Sequence, residues 1–309
     1  MTERSRHRTA AIVAVSVSTV MWGSAGVLVK GTSVSGLTFA MYRLWLGVLV
    51  HLVALALLRR RLSWATFRSC ALGGVFFAGD IALSFTAVKL TTVANVAIIG
   101  AISPILVLLA AGRMFGERVR PREAALVAMS FVGIVVVAVG STGSPAWSPV
   151  GDALAIVSTL SWTGYWLFSK RSRAETSTLE YMTSVMLAAA AVVTPAALLV
   201  GGVPPPMPDS GDWVVIVFVT LVPGAAGHLL AAWSHRHVES WLSSLVTQCV
   251  PVVSATLAWW VLGESLPPLV VAGGILVVGA TAFVVVGAGR REPAGGPVAQ
   301  LEQVDEIPT

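Results

Sequence analysis

Four ionisable side chains stand well inside long apolar runs of this sequence: Arg43, His51 in the same run, Asp80 and His228. Because an ionised group is costly in an apolar medium, such residues usually face a cavity or a partner. Asp80 fits a proton or substrate site, or a structural pairing with a polar group on a neighbouring helix. His228 has a side chain that titrates near neutral pH and fits a proton relay, or a structural hydrogen bond.

Arg43 and several aromatic residues fit the binding of an organic molecule. The guanidinium of Arg43 could hold a carboxylate, or it could reach lipid headgroups with its long side chain. Trp22 and Trp162 could stack on substrate rings or cations, or they could pack helices together. Tyr165, near Trp162, favours a cavity because its hydroxyl needs a partner.

Two amides and two prolines complete the candidates for a substrate pathway. Asn95 and Gln248 are polar residues in apolar runs, within ten residues of Pro104 and Pro251. Because proline removes a backbone donor, each proline predicts a kinked helix. Kinks in both halves suit gating, and packing alone is the alternative.

The sequence lacks the patterns of an enzyme or a metalloprotein. It contains no HExxH pattern, no GxxxxGK[ST] phosphate loop and no second deep acid to pair with Asp80. The two cysteines, Cys70 and Cys249, fit neither a disulfide framework nor a zinc site. We predict no catalytic residues, no metal and no cofactor.

The composition places these residues in a membrane. Of 309 residues, 56% are hydrophobic and 11% are charged, against about 25% charged in soluble domains. The mean hydropathy is +0.83. Because a membrane helix needs about 20 apolar residues, we predict an all-α integral membrane protein with ten transmembrane helices. The apolar blocks are residues 10–30, 36–58, 67–88, 92–114, 122–140, 151–169, 178–200, 212–233, 240–262 and 267–287.

The basic residues test this count. With a cytoplasmic N-terminus, the cytoplasmic segments hold 17 of the 20 Lys and Arg residues, as the positive-inside rule expects. Both termini are therefore predicted to be cytoplasmic, with 288–309 as a disordered tail. The net charge of +5 is explained by the same loops, so no nucleic-acid partner is predicted.

The chain repeats itself. "STVMWGSAGVLVK" (Ser18–Lys30) matches "STLSWTGYWLFSK" (Ser158–Lys170) at an offset of 140 residues. "SPILVLLAAGRMFGERVRP" (Ser103–Pro121) matches "VPVVSATLAWWVLGESLPP" (Val250–Pro268) at an offset of 147. We place the seven extra residues in the Pro-rich loop 201–212. Each half then has five helices, and five is odd, so the halves form inverted repeats.

The second pair of segments shares a motif in which Gly-Glu follows proline. Pro104 and Pro251 each precede a glutamate by 13 residues. The motif residues, predicted to be structural, are Gly116, Glu117, Gly263 and Glu264. Together with "MYRLWLGVLV" (Met41–Val50) and "VGDALAIVSTLSWTGYW" (Val150–Trp166), this pattern resembles the EamA-type transporters of the drug/metabolite transporter superfamily. The resemblance covers two repeats, 11–140 and 150–287.

The resemblance implies a secondary transporter of the plasma membrane. It implies export or exchange of a small organic metabolite, such as an amino acid or a drug, by alternating access and without ATP. Protons are a candidate coupling ion, the lipid bilayer is the other partner, and the sequence leaves the oligomeric state open. The alternatives are an intramembrane enzyme, or an accessory or sensor subunit. Because "GSAG" follows Trp22 and "TGYW" follows Trp162, we expect such differences between the halves to set selectivity.

Overall fold

The computed structural model describes residues 3–91, 96, 99–116, 120–140, 148–173, 175–262 and 267–289. All regular elements in these ranges are helical. The first half contains α1 Glu3–Lys30, α2 Gly36–Leu57, α3 Trp64–Leu90, α4 Ser103–Phe115 and α5 Pro121–Gly140. The second half contains α6 Pro149–Arg173, α7 Thr178–Gly201, α8 Ser210–Val219, a π-helical segment Thr220–Gly227, α9 His228–Ser234, α10 Ser240–Thr247, α11 Val250–Leu262 and α12 Pro268–Gly289.

Polar side chains fix where several helices begin. Ser35, Ser63 and Ser177 accept hydrogen bonds from the backbone N–H three residues on, at the starts of α2, α3 and α7. Asp209 does the same for α8. Such caps satisfy N–H groups that have no partner inside the helix. Gly116 ends α4 with φ 64°, a conformation that glycine adopts without strain.

Six helical runs of the described residues are long and apolar enough to cross a membrane. They are Arg6–Lys30, Gly36–Leu57, Trp64–Leu90, Thr178–Gly201, Ser210–Ser234 and Ser240–Leu257. Three shorter apolar helices are Ser103–Phe115, Ala124–Val137 and Pro268–Phe283. Helix α6 is long, but it ends in Lys170, Arg171 and Arg173. The all-helical membrane class is confirmed, and the count of ten crossings stays a prediction.

The two apolar runs that contain Pro104 and Pro251 are each interrupted shortly before the proline. The chain turns at 101–102 and at 248–249, and a new helix follows each turn. Pro104 and Pro251 are the second residues of α4 and α11. In the first turn of a helix, the missing N–H leaves no carbonyl unpaired. Ile102 and Gln248 keep right-handed helical dihedral angles at these interruptions, and a kink of each run for gating stays a prediction.

The third apolar run of the second half contains a local irregularity. Between α8 and α9, residues Thr220–Gly227 form a π-helical segment that includes Pro223. A proline inside an α-helix clashes with the carbonyl four residues earlier, here that of Val219. The wider π turn accommodates the proline. It also leaves backbone carbonyls free for side chains of other helices.

The helices pack in a pattern that relates the two halves. Helix α3 packs along α6 and α7, while α1 packs along α9, α11 and the π-helical segment. Helices α2 and α7 pack together, as do α5 and α12. Helix α6 is the counterpart of α1 in the other half, and the run α8–π–α9 is the counterpart of α3. The contact between α3 and α6 therefore corresponds to the contact of α1 with the π-helical segment and α9. The packing thus has an approximate two-fold relation between the repeats.

Hydrogen bonds follow the same relation. Lys30 donates to the carbonyl of Thr91 at 3.5 Å, and Lys170 donates to that of Val238 at 2.7 Å. The lysines are 140 residues apart and the acceptors 147, so both offsets found in the sequence recur. The amide of Gln248 donates to the carbonyl of Ala101, 147 residues away, at 2.8 Å. This bond joins a position to its own equivalent and therefore lies near the two-fold axis.

Some of the predicted features lie outside the described residues. These are Asn95, Glu117, Gly263, Glu264 and residues 290–309. Helix α12 continues to Gly289, two residues into the segment predicted as a tail.

Candidate functional site

Six aromatic rings from four helices meet in the interior. We call them the aromatic cluster: Trp22 of α1, Phe77 of α3, Trp162, Tyr165 and Trp166 of α6, and His228 of α9. The Trp22 ring meets Trp162 edge-on, with ring centroids 5.4 Å apart. Because Trp22 and Trp162 are equivalent positions of the two repeats, this contact also lies near the two-fold axis.

His228 lies in the middle of the aromatic cluster. Its ring is 4.9 Å from Trp22 and 4.8 Å from Phe77, between centroids. The residue is buried, and its Nδ1 atom has no hydrogen-bond partner among the described residues. The predicted structural hydrogen bond is therefore absent at that atom.

Trp22 and Trp162 occupy equivalent positions but have different partners. The indole N–H of Trp22 donates to the carbonyl of Pro223, in the π-helical segment, at 2.9 Å. No acceptor in the described part of the chain receives the corresponding N–H of Trp162. Both residues remain partly exposed, whereas Tyr165 and Trp166 are buried. Trp22 therefore has a structural bond that Trp162 lacks among the described residues.

Asp80 accepts a hydrogen bond from α6. The hydroxyl of Ser158 donates to the Asp80 carboxylate at 2.9 Å and lies 3.3 Å from the Asp80 carbonyl. The equivalent serine of the first half, Ser18, donates to the carbonyl of Gly227 at 2.8 Å. Positions 80 and 227 differ by 147, the expected offset. The two serines thus make equivalent contacts, but only one of the two accepting positions, residue 80, has a carboxylate.

Arg43 is buried between α2, α3 and the π-helical segment. Its side chain is 4% exposed, and its guanidinium carbon lies 5.4 Å from the centre of the Phe85 ring. The prediction that it reaches lipid headgroups is wrong, because the guanidinium points into the protein against Gly224. Its Nε and Nη1 atoms have no hydrogen-bond partner among the described residues.

The remaining candidates have mainly structural partners. Tyr165 is buried, with its hydroxyl 3.8 Å from the sulfur of Met182. Gln248 is buried and bonds to Ala101, as described above. His51, one apolar turn beyond Gly47, contacts the Gly47 carbonyl through Nδ1 at 2.8 Å.

The sequence analysis did not identify four residues of this region. They are Ser18 and Ser158, and the aromatic-cluster members Phe77 and Trp166. Ser18 and Ser158 begin the repeated Ser-Thr-x-x-Trp pattern, so their recurrence was the available signal. Phe77 and Trp166 are ordinary apolar residues by sequence. The first lies three residues before Asp80 and the second four after Trp162, spacings that share a helix face.

A second polar cluster lies at the predicted cytoplasmic end. Arg8 of α1 forms an ion pair with Glu239, and Arg8 Nη2 lies 3.0 and 2.8 Å from the two carboxylate oxygens. Nearby, His235 Nδ1 and the Ser169 hydroxyl are 2.6 Å apart. Burial lowers the pKa of His235 well below its usual 6.5, and Lys170 and Arg173 lower it further. His235 is therefore neutral at pH 7.

The described residues contain no group of three or more metal-ligating side chains. They offer instead aromatic faces, a hydroxyl-bonded carboxylate and a buried guanidinium, which suit an organic molecule. With two related sets of helices around this centre, the fold is that of a membrane transporter built from two repeats.

The comparisons with known proteins agree with this class. A model of the EamA-like transporter family matches residues 9–139 and 149–286. The chain belongs to this family, which confirms the resemblance seen in its sequence. A solved structure titled "Crystal structure of protein" has the same fold, with a TM-score of 0.75 and 21% sequence identity over 91% of this chain and 98% of its own. The comparison with curated proteins gives no match.

Proposed function

We propose that this protein is a secondary transporter that exports a small organic molecule, such as an amino acid or a drug, across the plasma membrane. The observation that carries the proposal is the contact between the partly exposed rings of Trp22 and Trp162 at the meeting point of the two halves. The carboxylate of Asp80, also partly exposed, bonds to Ser158, four residues before Trp162 on α6. Aromatic faces bind rings and cations, and a carboxylate at membrane depth binds a cation or a proton. The family membership supports transport as the activity.

Alternating access is the proposed mechanism. The repeats are related by an approximate two-fold, and such repeats let one half rock against the other around a fixed central site. Contacts near the two-fold axis, such as that of Trp22 with Trp162, can persist during this motion. Contacts between the halves at the two membrane faces would then form and break in turn. Ten crossings with both termini in the cytoplasm remain part of this proposal, supported by the distribution of Lys and Arg.

Asp80 is the proposed proton carrier. In exchange for an exported amine, a proton would neutralise the carboxylate and release the cargo, because the protonated acid no longer attracts a cation. Ser158 can accompany both states, since a hydroxyl can donate to the carboxylate or accept from the acid.

The function is tested with the purified full chain in liposomes. Candidate cargo comes from an untargeted comparison of extracellular metabolites in cells with and without the protein. The molecule enriched outside should also cross the liposome membrane without ATP. If no molecule in a broad panel changes in cells and none crosses in liposomes, the proposed function is wrong.

Asp80→Asn tests the coupling. The amide keeps the size and the contact with Ser158 but cannot exchange a proton, so transport should become independent of an imposed pH gradient. Glu175→Gln is the control, because Glu175 is an exposed acid outside the spans and its substitution should leave the pH response unchanged. An Asp80→Asn protein with a normal pH response would remove Asp80 from the coupling mechanism.

A further inference from the structure

The hairpin that joins α2 to α3 is strongly basic. Its four arginines are all exposed: Arg59, Arg60, Arg61 and Arg68. No Asp or Glu occurs in the sequence between Glu3 and Asp80. In space, no carboxylate of the described residues comes within 4.0 Å of a nitrogen of these four side chains. The hairpin therefore carries a concentrated positive charge that no ion pair with the described residues neutralises.

The other basic segments of the predicted cytoplasmic face contain acids of their own. In each of them a glutamate lies within three residues of a Lys or Arg, and these glutamates are Glu3, Glu117, Glu123, Glu175, Glu239 and Glu292. The positive-inside rule counts Lys and Arg and gives little weight to Asp and Glu. It therefore explains why the α2–α3 hairpin is basic, but not why this segment alone lacks an acid.

The hairpin lies at a membrane surface, because α2 and α3 are both long and apolar enough to cross a membrane. Apolar side chains flank its arginines. Leu57 and Leu58 are 78% and 64% exposed, and Trp64 is 70% exposed. The Trp64 ring stacks on that of Phe67, with centroids 5.2 Å apart. Aromatic side chains at this level contact both headgroups and acyl chains, so the surface combines the two kinds of contact that a phospholipid needs.

The backbone of the hairpin has an arginine where glycine would be more stable. The N–H of Arg59 bonds to the carbonyl of Ala56 at 3.1 Å, and Arg59 has φ 53°. The N–H of Arg60 bonds to the carbonyl of Leu55 at 2.9 Å. This left-handed position at the end of a helix usually has glycine, because a Cβ atom disfavours the conformation. An arginine here costs stability, which indicates a use for its guanidinium.

We propose that the α2–α3 hairpin binds the headgroup of an anionic phospholipid, with its arginines on the headgroup and with Leu57, Leu58 and Trp64 against the acyl chains. A guanidinium binds a phosphate group through two parallel hydrogen bonds. Basic clusters directly beside a membrane helix attract anionic lipids. The bound lipid would hold the adjoining ends of α2 and α3 at the membrane surface. This binding is independent of the molecule that the protein transports.

Two lipids with the same acyl chains separate the charge from the apolar contacts. Dioleoylphosphatidylglycerol is anionic, and dioleoylphosphatidylcholine has no net charge. Each is titrated into the purified full chain in a neutral detergent, and binding is measured by microscale thermophoresis. We expect wild type to bind phosphatidylglycerol at least about tenfold more tightly than phosphatidylcholine, because each basic residue near the headgroup adds to the attraction. Millimolar inorganic phosphate, which has no acyl chains, should not displace phosphatidylglycerol.

Matched variants assign the preference to the hairpin. The hairpin variant combines three substitutions: Arg59→Gln, Arg60→Gln and Arg61→Gln. The control variant removes three exposed arginines of other segments: Arg6→Gln, Arg113→Gln and Arg171→Gln. Phosphatidylglycerol affinity should fall at least about tenfold in the hairpin variant and stay within a factor of about two in the control. Phosphatidylcholine affinity should be unchanged in both variants, which also reports a folded protein.

Two single substitutions test the apolar contact and the backbone position. Trp64→Ala should weaken both lipids by the same factor, because the ring contacts apolar chains that the two lipids share. Arg59→Gly should raise the melting temperature in detergent without lipid, since glycine adopts φ 53° without strain. It should also lower phosphatidylglycerol affinity about fivefold, so that the gain in stability is accompanied by a loss of binding.

Several outcomes would overturn the inference. They are equal affinity of wild type for the two lipids, an equal loss of phosphatidylglycerol affinity in the hairpin and control variants, and displacement of the lipid by inorganic phosphate. Full phosphatidylglycerol affinity in Arg59→Gly would contradict it as well, because the arginine would then have no use at this position. The liposome and metabolite tests of transport do not involve these residues, so the proposed function stands or falls separately.

Discussion

At the scale of single residues, equivalent positions of the two halves make different interactions. Ser18 and Ser158 both donate across to the other half, but only Ser158 meets a carboxylate, that of Asp80. The sequence could indicate Asp80, His228 and Arg43 because ionisable groups are rare in apolar runs. It could not indicate that Arg43 points inward, since that depends on Phe85 and Gly224, which come from other elements.

Trp22 and Trp162 should respond differently to the same substitution. Trp22→Phe removes the bond to the Pro223 carbonyl and leaves that carbonyl without its partner, which should lower stability by about 1–3 kcal/mol. Trp162→Phe removes no such bond, so it should change substrate KM with little change in stability. Thermal unfolding in detergent and transport kinetics measure the two effects. Equal losses of stability in both variants would contradict the assigned difference.

At the scale of helices, breaks in the apolar runs shape the centre. The sequence indicated proline effects near 104 and 251, but it could not distinguish a kink from a new helix, because that depends on backbone turns. The π-helical segment was also not predicted. Pro223 was its visible signal, and its consequence depends on Trp22 and Ser18 of α1, whose side chains take the carbonyls of Pro223 and Gly227.

Helices α5 and α12 cross at two glycines, where substitution should be destabilising. A Cβ atom at Gly273 would lie 2.6 Å from the carbonyl oxygen of Gly133, and one at Gly133 would lie 2.9 Å from that of Gly273. Because backbone atoms cannot move aside easily, Gly273→Ala and Gly133→Ala should each cost about 1–3 kcal/mol.

The control for these substitutions is Gly279→Ala, which lies on α12 like Gly273. A Cβ atom at Gly279 would meet nothing within 4 Å. Alanine also favours a helix over glycine by up to about 1 kcal/mol. The melting temperature of purified protein in detergent should therefore fall for Gly133→Ala and Gly273→Ala, and hold or rise for Gly279→Ala. Unchanged melting in the first two variants would mean that the helices cross elsewhere.

At the scale of the whole molecule, the two-fold relation was readable from sequence because it leaves two fixed offsets, 140 and 147. The same offsets recur in the bonds of Lys30, Lys170, Ser18 and Ser158. The sequence could not show which side chains join the two halves at the predicted cytoplasmic end, since these contacts depend on tertiary packing. Those contacts lie where α1 meets the connection between α9 and α10.

This end is held by an ion pair and by stacked rings. Arg8 pairs with Glu239, and the ring of His7 stacks on that of His237, with centroids 5.5 Å apart and planes at 19°. Burial lowers the pKa of His237, and His7, Arg236 and Arg173 lower it further, against the raising effect of the Trp233 carbonyl. The packed state therefore favours neutral His237, and this contribution is present above pH 6.5 and lost as pH falls below it.

Reversing the charge of Glu239 should open this end more often. Glu239→Arg places two cations together, whereas Arg8→Glu combined with Glu239→Arg restores the pair. The readout is alkylation of Ser169→Cys, a buried position beside His235, by an impermeant reagent in inside-out vesicles. Cys70 and Cys249 are first replaced by alanine.

A partly exposed ion pair is worth about 0.2–1 kcal/mol, which corresponds to a change in the open population of up to about fivefold. Labelling should therefore rise by about 1.4- to fivefold in Glu239→Arg, by that estimate, and return to the starting rate in the double variant. Because opening the cytoplasmic end is one half of the proposed cycle, an unchanged labelling rate in Glu239→Arg would show that this contact does not limit access from the cytoplasm. Equal labelling of the single and double variants would show that the charge of residue 239, rather than its pairing with Arg8, controls the opening.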